Sequence, residues 1–370
     1  MKKLGFGVMR LPLLRQDDQT SVDMETAKQM FDVYLAAGYT YFDTAYFYHD
    51  GKSEEILREL VVKRYPRDAF TITDKMPFLD KLEPERMQEI FDEQLARCGV
   101  EYFDYYWLHS VTGGSIDNVE RVGAFEFLKQ KKAEGKARHI GFSYHDGPEL
   151  LDRILTAHPE VEYVQLQINY LDWDDPKIQS RACYEVCVKH KKPVIVMEPV
   201  KGGRLAKLPA AAEECFRGYA PEASIASWGI RFAASLENVA VVLSGMSTPE
   251  QLADNLALTS PLHPLSAAEQ ALVRQAADII RAAMPIGCTG CRYCTDGCPQ
   301  QIPIPDIFKI YNDMEMFPAN DLAYYRAHYA ARVKEHGKAS DCIACRQCEE
   351  HCPQHLDITG WLQKAAQRFE

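Results

Sequence analysis

The stretch that decides the fold reads Pro84-Glu-Arg-Met-Gln-Glu-Ile-Phe-Asp-Glu-Gln-Leu-Ala-Arg-Cys98, and it is followed by Gly99 and by Phe103-Asp-Tyr-Tyr-Trp-Leu-His109. Its first part repeats apolar residues at three- and four-residue steps, which is typical of an amphipathic helix. A proline at its start and a glycine just past its end are the usual helix punctuation. The second part is an apolar run of strand length. Together they predict one helix and the strand that follows it.

The same alternation of strand and helix extends on both sides of this unit, from residue 4 to about residue 260. Eight apolar runs are predicted to be strands, at residues 4–9, 41–44, 70–74, 103–109, 139–143, 163–168, 194–197 and 239–244. A closed parallel barrel has eight strands that alternate with helices, which is the number predicted here. An open doubly wound sheet usually has fewer strands and a G-x-G-x-x-G turn after the first, which is absent here. We therefore predict an α/β fold, a (β/α)8 TIM barrel, with its chemistry at the C-terminal strand ends.

Cysteines dominate the end of the chain, where eight of the 12 lie within the last 83 residues. They form two runs, Cys288-x2-Cys291-x2-Cys294-x3-Cys298-Pro299 and Cys342-x2-Cys345-x2-Cys348-x3-Cys352-Pro353. Each run has the C-x2-C-x2-C-x3-C-P spacing that binds a 4Fe-4S cluster. Zinc sites usually take their ligands in pairs, and free or disulfide-bonded cysteines would not need this spacing. Two 4Fe-4S clusters are therefore predicted.

In two-cluster ferredoxins, the fourth cysteine of each run binds the cluster of the other run. The first cluster would then use Cys288, Cys291, Cys294 and Cys352. The second would use Cys342, Cys345, Cys348 and Cys298.

A change in composition near residue 285 predicts a domain boundary. Ser266 opens a helix that Met284-Pro-Ile-Gly287 ends, and the cysteine-rich segment begins directly after it. The predicted domains are the barrel, residues 1–285, and a smaller, mainly helical iron-sulfur domain, residues 286–370. With helices predicted at 305–316 and 322–335, this tail resembles the helical ferredoxin modules that transfer electrons on larger oxidoreductases.

Composition excludes several classes of partner. The chain has 53 acidic and 42 basic residues and a formal charge of -11, which argues against a nucleic-acid surface. No apolar run is long enough for a transmembrane helix, so no membrane partner is expected. The first residues carry charge without an apolar segment, unlike a secretory signal. A cytoplasmic location is the default expectation.

The most informative stretch for function is Phe42-Asp-Thr-Ala-Tyr-Phe-Tyr-His-Asp-Gly-Lys-Ser-Glu54. It resembles the aldo/keto reductase family, whose second strand ends in F-D-T-A and whose next loop carries Tyr, Gly and Ser-Glu. The resemblance continues in order from residue 1 to about residue 260. Its further pieces are Thr73-Asp-Lys75, Trp107-Leu-His109, Ile140-Gly-Phe-Ser143, Tyr163-Val-Gln-Leu-Gln167, Pro193-Val-Ile-Val-Met-Glu-Pro199 and Gly245-x3-Pro249-Glu-Gln-Leu-x2-Asn255.

Four residues of this set form a candidate catalytic group. Reduction of a carbonyl needs a hydride donor and a proton donor, and Tyr48 would supply the proton. The ammonium of Lys75 would lower the pKa of that phenol, and the carboxylate of Asp43 would keep Lys75 charged. His109 would donate a hydrogen bond to the substrate oxygen. Each residue alone has an ordinary structural explanation, but their joint occurrence at strand ends favours catalysis.

The resemblance also implies a nicotinamide cofactor. Ser143 and Gln165 would hydrogen-bond the nicotinamide carboxamide. The other implied cofactor contacts are Glu198, Val200 and Gly202 along the pyrophosphate, Gln251, and Asn255 near the adenine.

The identity of the cofactor stays open. Residues that bind the 2′-phosphate of NADP are typically basic in this family, whereas the matching Gly245 and Gln251 are neutral. Lys201 or Arg204 would be substitutes. The cofactor is thus NADP(H) or NAD(H), with a flavin in the same pocket as an alternative.

The sequence therefore predicts an NAD(P)-dependent oxidoreductase that reduces a small-molecule carbonyl or oxidises the alcohol. Its clusters would exchange electrons with a ferredoxin or flavoprotein partner. A second hypothesis is an electron-transfer or interaction subunit in which the barrel is mainly a docking body. A third is that the clusters only fold the tail.

Overall fold

A computed structural model describes nearly the whole chain. The described residues are all except Met1 and residues 16–17, 78–81, 177, 289–293, 296, 317–320 and 353–355. Cys291, one of the predicted cluster ligands, lies outside the described residues.

Eight parallel strands close into a barrel in sequence order, so the predicted fold is confirmed. The strands are β1 (Leu4–Gly7), β2 (Tyr41–Asp43), β3 (Thr71–Met76), β4 (Phe103–Val111), β5 (Ala137–Tyr144), β6 (Tyr163–Gln167), β7 (Val194–Met197) and β8 (Val239–Ser244). Closure pairs β1 with both β2 and β8. This brings the loop after the first strand beside the loop after the last one.

Helices follow most strands. Within the described residues they are α1 (Met24–Ala36), α2 (Ser53–Leu57), α3 (Pro84–Cys98), α4 (Ile116–Arg121), α5 (Ala124–Ala133), α6 (Pro148–Ala157), α7 (Ser180–Lys189), α8 (Ala210–Tyr219), α9 (Ile225–Ser235), α10 (Pro249–Thr259), α11 (Ala267–Ala282), α12 (Ile304–Met316), α13 (Leu322–Arg332), α14 (Gln347–Glu350) and α15 (Ile358–Phe369). The helix predicted at Pro84–Cys98 has those bounds, and Gly99 ends it with a left-handed φ of 69°.

The interior of the barrel is filled rather than hollow. One buried cluster consists of Tyr41, Tyr105, Trp107, Ile195, Val241 and Leu243. Since alternate residues of a strand share a face, Asp43 points the same way as Tyr41, one step nearer the C-terminal rim. Polar side chains therefore collect above a packed apolar interior.

The chain divides into two compact units. The first contains Met1–Gly202 and Ser227–Ala267, and the second contains Gly203–Ala226 and Ala268–Glu370. The second unit is mainly helical and has its own core, which includes Ile307, Phe308, Tyr325, Ile358 and Leu362. A division into residues 1–285 and 286–370 stays a prediction.

No helix among the described residues is both long and apolar enough to span a membrane.

Candidate active site

Lys75 is the centre of a buried polar group at the C-terminal rim of the barrel. It is on β3 and fully buried. Its Nζ donates to Asp43 Oδ1 at 2.6 Å and to the carbonyl oxygen of Thr44 at 2.6 Å. The same Nζ lies 5.0 Å from the centroid of the Tyr48 ring. Three of the four predicted catalytic residues are thus in direct contact.

The loop after β2 positions Tyr48 through its own hydrogen bonds. The backbone N–H of Tyr48 donates to the carbonyl of Ala45 at 3.1 Å, and the N–H of Ser53 donates to the carbonyl of Tyr48 at 3.2 Å. The hydroxyls of Thr44 and Ser53 lie 2.6 Å apart. The Thr and Ser of the quoted motif therefore close the loop that carries the phenol.

A second buried network fixes the backbone of Lys75. Its N–H donates to Asp74 Oδ1 at 2.8 Å, and its carbonyl accepts from Gln94 Nε2 at 3.0 Å. Gln94 also donates to Glu54 at 3.0 Å, and Arg97 forms an ion pair with Glu54 at 3.1 Å. This network was not predicted from the sequence, although Glu54 ends the quoted motif and Asp74 directly precedes Lys75.

Burial and charge act in opposite directions on the ionisation of the group. Burial raises the pKa of Tyr48, the nearby ammonium of Lys75 lowers it, and burial has the larger effect. The expected lowering by Lys75 is present, but the net direction is upward. Burial acts to lower the pKa of Lys75, while Asp43 and Tyr48 together raise it above its ordinary value. Lys75 is therefore charged and Tyr48 is a phenol at neutral pH.

His109 faces the same group from β4. Its ring centroid lies 6.1 Å from that of Tyr48, with the two rings nearly perpendicular. Burial first, and the positive charge of Lys75 second, lower the pKa of His109 to about 3. A neutral imidazole can donate one hydrogen bond to a neutral oxygen without adding a second charge beside Lys75.

The neutral state of His109 makes stability depend on pH. Because the pKa falls from an ordinary 6.5 to about 3 in the folded chain, the unfolded chain binds the proton first. We expect His109 to remove stability as pH falls from 6.5 towards 3, by at most about 1.4 kcal/mol per pH unit. Urea unfolding at about pH 7 and about pH 5 measures this, and His109→Gln should flatten the dependence.

His263→Gln is the matched control, since His263 is exposed. An equal pH dependence in the wild type and in His109→Gln would contradict the prediction.

Ser143 and Gln165, predicted to hold a carboxamide, are neighbours in the sheet. They are paired across β5 and β6, and both are buried. Ser143 Oγ accepts from the N–H of Ser110 at 2.7 Å. Gln165 Nε2 donates to Asp43 Oδ2 at 3.1 Å. The structure therefore brings Gln165 to the catalytic candidates through Asp43.

The residues predicted along the pyrophosphate lie on the loop after β7. Glu198 is exposed and has a left-handed φ of 55°, Val200 is partly buried, and Gly202 has a φ of 66°. Lys201 Nζ binds both carboxylate oxygens of buried Asp172, at 2.6 and 2.7 Å. This ion pair fixes the loop and occupies the ammonium of Lys201.

Gln251 and Asn255 both form hydrogen bonds with residues at or just after the end of β8. Gln251 Oε1 accepts from the N–H of Ser247 at 2.7 Å. Asn255 is buried and donates to Ser244 Oγ at 2.8 Å. Arg204, the other basic candidate for a 2′-phosphate, belongs to the second unit and forms an ion pair of 2.6 Å with Asp313 of the same unit. Lys201 and Arg204 are therefore both engaged by carboxylates.

Four cysteines of the second unit line one cavity. They are Cys298, Cys342, Cys345 and Cys348, with Ile302, Ile304 and Leu362 among the apolar walls. This is the set predicted for the second cluster, with Cys298 contributed by the other run. In the described parts of the chain, no group of three or more His, Cys, Asp or Glu side chains converges on a single ion.

The first run is described only in part. Cys294 and Cys352 are buried and Cys288 is partly buried, and Cys291 is not described.

The structure is a closed parallel barrel that brings an Asp, a Tyr, a Lys and a His together at the rim where such barrels place their functional residues. Comparison with known sequences identifies the family. Residues 3–278 match the model of the aldo/keto reductase family, and residues 287–356 match that of a 4Fe-4S dicluster domain. The chain belongs to the aldo/keto reductase family of oxidoreductases and carries a 4Fe-4S domain at its C-terminal end.

Relatives and solved structures agree over the barrel. An aldo-keto reductase of Mycobacterium avium is 28% identical over 69% of this chain and 80% of its own length. L-galactose dehydrogenase of Arabidopsis thaliana is 26% identical over 73% of this chain and 88% of its own. An aldo-keto reductase of Klebsiella pneumoniae in complex with NADPH superposes with a TM-score of 0.58 at 18% identity, over 74% of this chain and 90% of its own. That likeness shows the fold alone.

Proposed function

We propose that the barrel reduces a small-molecule carbonyl, or oxidises the corresponding alcohol, with a nicotinamide cofactor and with Tyr48 as the acid or base. The observation that carries this proposal is the buried contact of Lys75 with Asp43 at 2.6 Å and with the Tyr48 ring at 5.0 Å. The buried ammonium of Lys75 is already paired with Asp43 and lies beside the phenol of Tyr48. In that position it can stabilise the phenolate that forms when the proton leaves.

The residues at the rim fit a nicotinamide dinucleotide. Gln165 uses its amide nitrogen on Asp43, which leaves its amide oxygen for a carboxamide donor. Gly202 has no side chain, and its left-handed φ of 66° lets the loop backbone approach a ligand closely. When bound, the cofactor supplies the hydride that the side chains cannot provide.

Each of the four residues then has a role in the reduction. Tyr48 gives its hydroxyl proton to the carbonyl oxygen, and Lys75 offsets the negative charge left on the phenol oxygen. Asp43 keeps Lys75 charged and in place. Neutral His109 donates a hydrogen bond to the same carbonyl oxygen and orients it. In the oxidation of an alcohol, the phenolate of Tyr48 accepts the proton.

The cysteine-lined cavity supports a proposal for the second unit. Cys298, Cys342, Cys345 and Cys348 would hold one 4Fe-4S cluster, and Cys288, Cys291, Cys294 and Cys352 would hold the other. Bound clusters carry single electrons, and we propose a ferredoxin or flavoprotein as the partner. If chemically reduced clusters yield alcohol from a carbonyl without nicotinamide, the clusters take part in turnover. Absence of product, together with full activity in a cluster-ligand variant that still folds, would assign the clusters a structural role.

Transfer of deuterium tests the proposed reaction directly. The protein with its clusters loaded is mixed with a panel of aldehydes and ketones and with NADPH or NADH deuterated at nicotinamide C4, in either configuration. We expect deuterium at the carbinol carbon of the product, detected by mass spectrometry. If neither cofactor binds and no deuterium is transferred, the barrel is a docking body for an electron-transfer subunit.

A further inference from the structure

We propose that Arg10, on the loop after β1, binds a phosphate group of the nicotinamide dinucleotide. This inference rests on the proposed function, because it assumes that the cofactor occupies the rim of the barrel. The ligand chemistry is that of a phosphate oxygen, from either the pyrophosphate or the 2′-phosphate.

The backbone at Arg10 is fixed from two sides. A 3₁₀ turn, Val8–Arg10, follows β1 directly. Buried His49, next to Tyr48, places its Nε2 2.9 Å from the carbonyl oxygen of Val8. From the opposite side, Ser247 Oγ donates to the carbonyl of Arg10 at 3.1 Å. The arginine is therefore held between the loops that follow β2 and β8.

The side chain of Arg10 extends across two glycines. A Cβ atom added to Gly245 would lie 3.0 Å from Arg10 Cβ and 3.1 Å from its Cδ. A Cβ atom added to Gly202 would lie 3.2 Å from Arg10 Nη2. The stem thus passes over Gly245 after β8, and the guanidinium reaches Gly202 on the loop after β7. Gly202 is the position that the family resemblance places along the pyrophosphate.

Arg10 differs from Lys201 and Arg204, the other basic candidates, in that its charge is not paired with a carboxylate of any described residue. Lys201 is held by both oxygens of Asp172, and Arg204 is held by Asp313. In the portion of the chain that the structure describes, the exposed Arg10 guanidinium has no carboxylate partner. A planar guanidinium that is extended along a glycine-lined surface and not neutralised suits bidentate binding of phosphate oxygens.

The experiment measures binding rather than turnover. Arg10→Met keeps most of the apolar stem and removes the charge. Dissociation constants for NADPH and NADH are measured by calorimetry on the cluster-loaded protein, and loss of one charged contact should weaken binding about 10- to 100-fold. Weakening confined to NADPH assigns Arg10 to the 2′-phosphate, and equal weakening of both cofactors assigns it to the pyrophosphate.

Two control variants distinguish the loss of a phosphate contact at Arg10 from a general disturbance of the fold. Arg15→Met removes an exposed arginine of the same segment, which forms an ion pair with Asp18, and should leave both constants unchanged. Arg10→Lys should recover part of the lost affinity, because it restores the charge without the planar fork. Unchanged binding of both cofactors to Arg10→Met overturns the inference and leaves the proposed function intact. If the wild type binds neither cofactor, the proposed function itself fails.

Discussion

Replacing Tyr48 by phenylalanine is expected to lower kcat/KM for carbonyl reduction by about 10²- to 10⁴-fold, the range that one positioned proton donor contributes. The variant keeps the aromatic ring that lies 5.0 Å from Lys75 Nζ, so the packing around the ammonium is preserved. Only the hydroxyl is lost. Steady-state kinetics with the carbonyl substrate found by deuterium transfer provide the measurement, and the affinity for the cofactor should change little.

The pH profile of the wild type gives an independent check of the same residue. Burial raises the pKa of Tyr48 above its ordinary value of 10, so the phenol keeps its proton throughout the neutral range. Reduction, which needs the phenol, should be flat near neutrality and decline only in alkaline solution. Oxidation, which needs the phenolate, should rise with pH.

Tyr46→Phe is the matched control for Tyr48→Phe. Tyr46 lies on the same loop, but its hydroxyl donates to Glu93 at 3.1 Å. Its loss should leave kcat/KM nearly unchanged. Full activity in Tyr48→Phe, or an equal loss in both variants, would remove Tyr48 from its proposed role.

The second large effect is expected at Cys298. Because Cys298 lines the same cavity as Cys342, Cys345 and Cys348, Cys298→Ser should remove the second cluster and not the first. Iron content per chain should fall to about half, and the electron paramagnetic resonance signal of one reduced cluster should disappear. Cys215→Ser is the control, since Cys215 lies on α8, outside both cysteine runs.

Double variants determine whether Cys298 binds the cluster of its own run or that of the other run. Cys298→Ser combined with Cys342→Ser should lose no more iron than either single variant, because both cysteines would bind one cluster. Cys298→Ser combined with Cys288→Ser should lose both clusters. The reverse pattern would show that each run holds its own cluster.

The strand order was predictable because each element is encoded locally. Apolar runs and helix punctuation predicted all eight strands, and Gly99 ends α3 as expected. The residues at which helices and strands begin and end were predicted less well, because single hydrogen bonds set them. The strand predicted at residues 4–9 ends at Gly7, where the 3₁₀ turn Val8–Arg10 begins. Helix α1 begins at Met24, where the side chain of Asp23 accepts from the N–H of Thr26 at 3.1 Å.

The rim group was predicted from residues that end strands, but its surroundings depend on contacts between distant parts of the chain. The partner of Lys201 is Asp172, 29 positions away, and the partner of Arg204 is Asp313, 109 positions away. Arg10 reads as an ordinary solvated residue in the sequence. Only the closure of β1 against β8 brings it beside Gly245.

The second compact unit is built from two separate stretches of the chain. The chain passes between the two compact units at Gly202–Gly203, Ala226–Ser227 and Ala267–Ala268. A fragment that begins near residue 285 would lack Gly203–Ala226, and with it Arg204, the ion-pair partner of Asp313. The second unit is therefore discontinuous in the sequence, and its iron-sulfur segment is only one of the two stretches that form it.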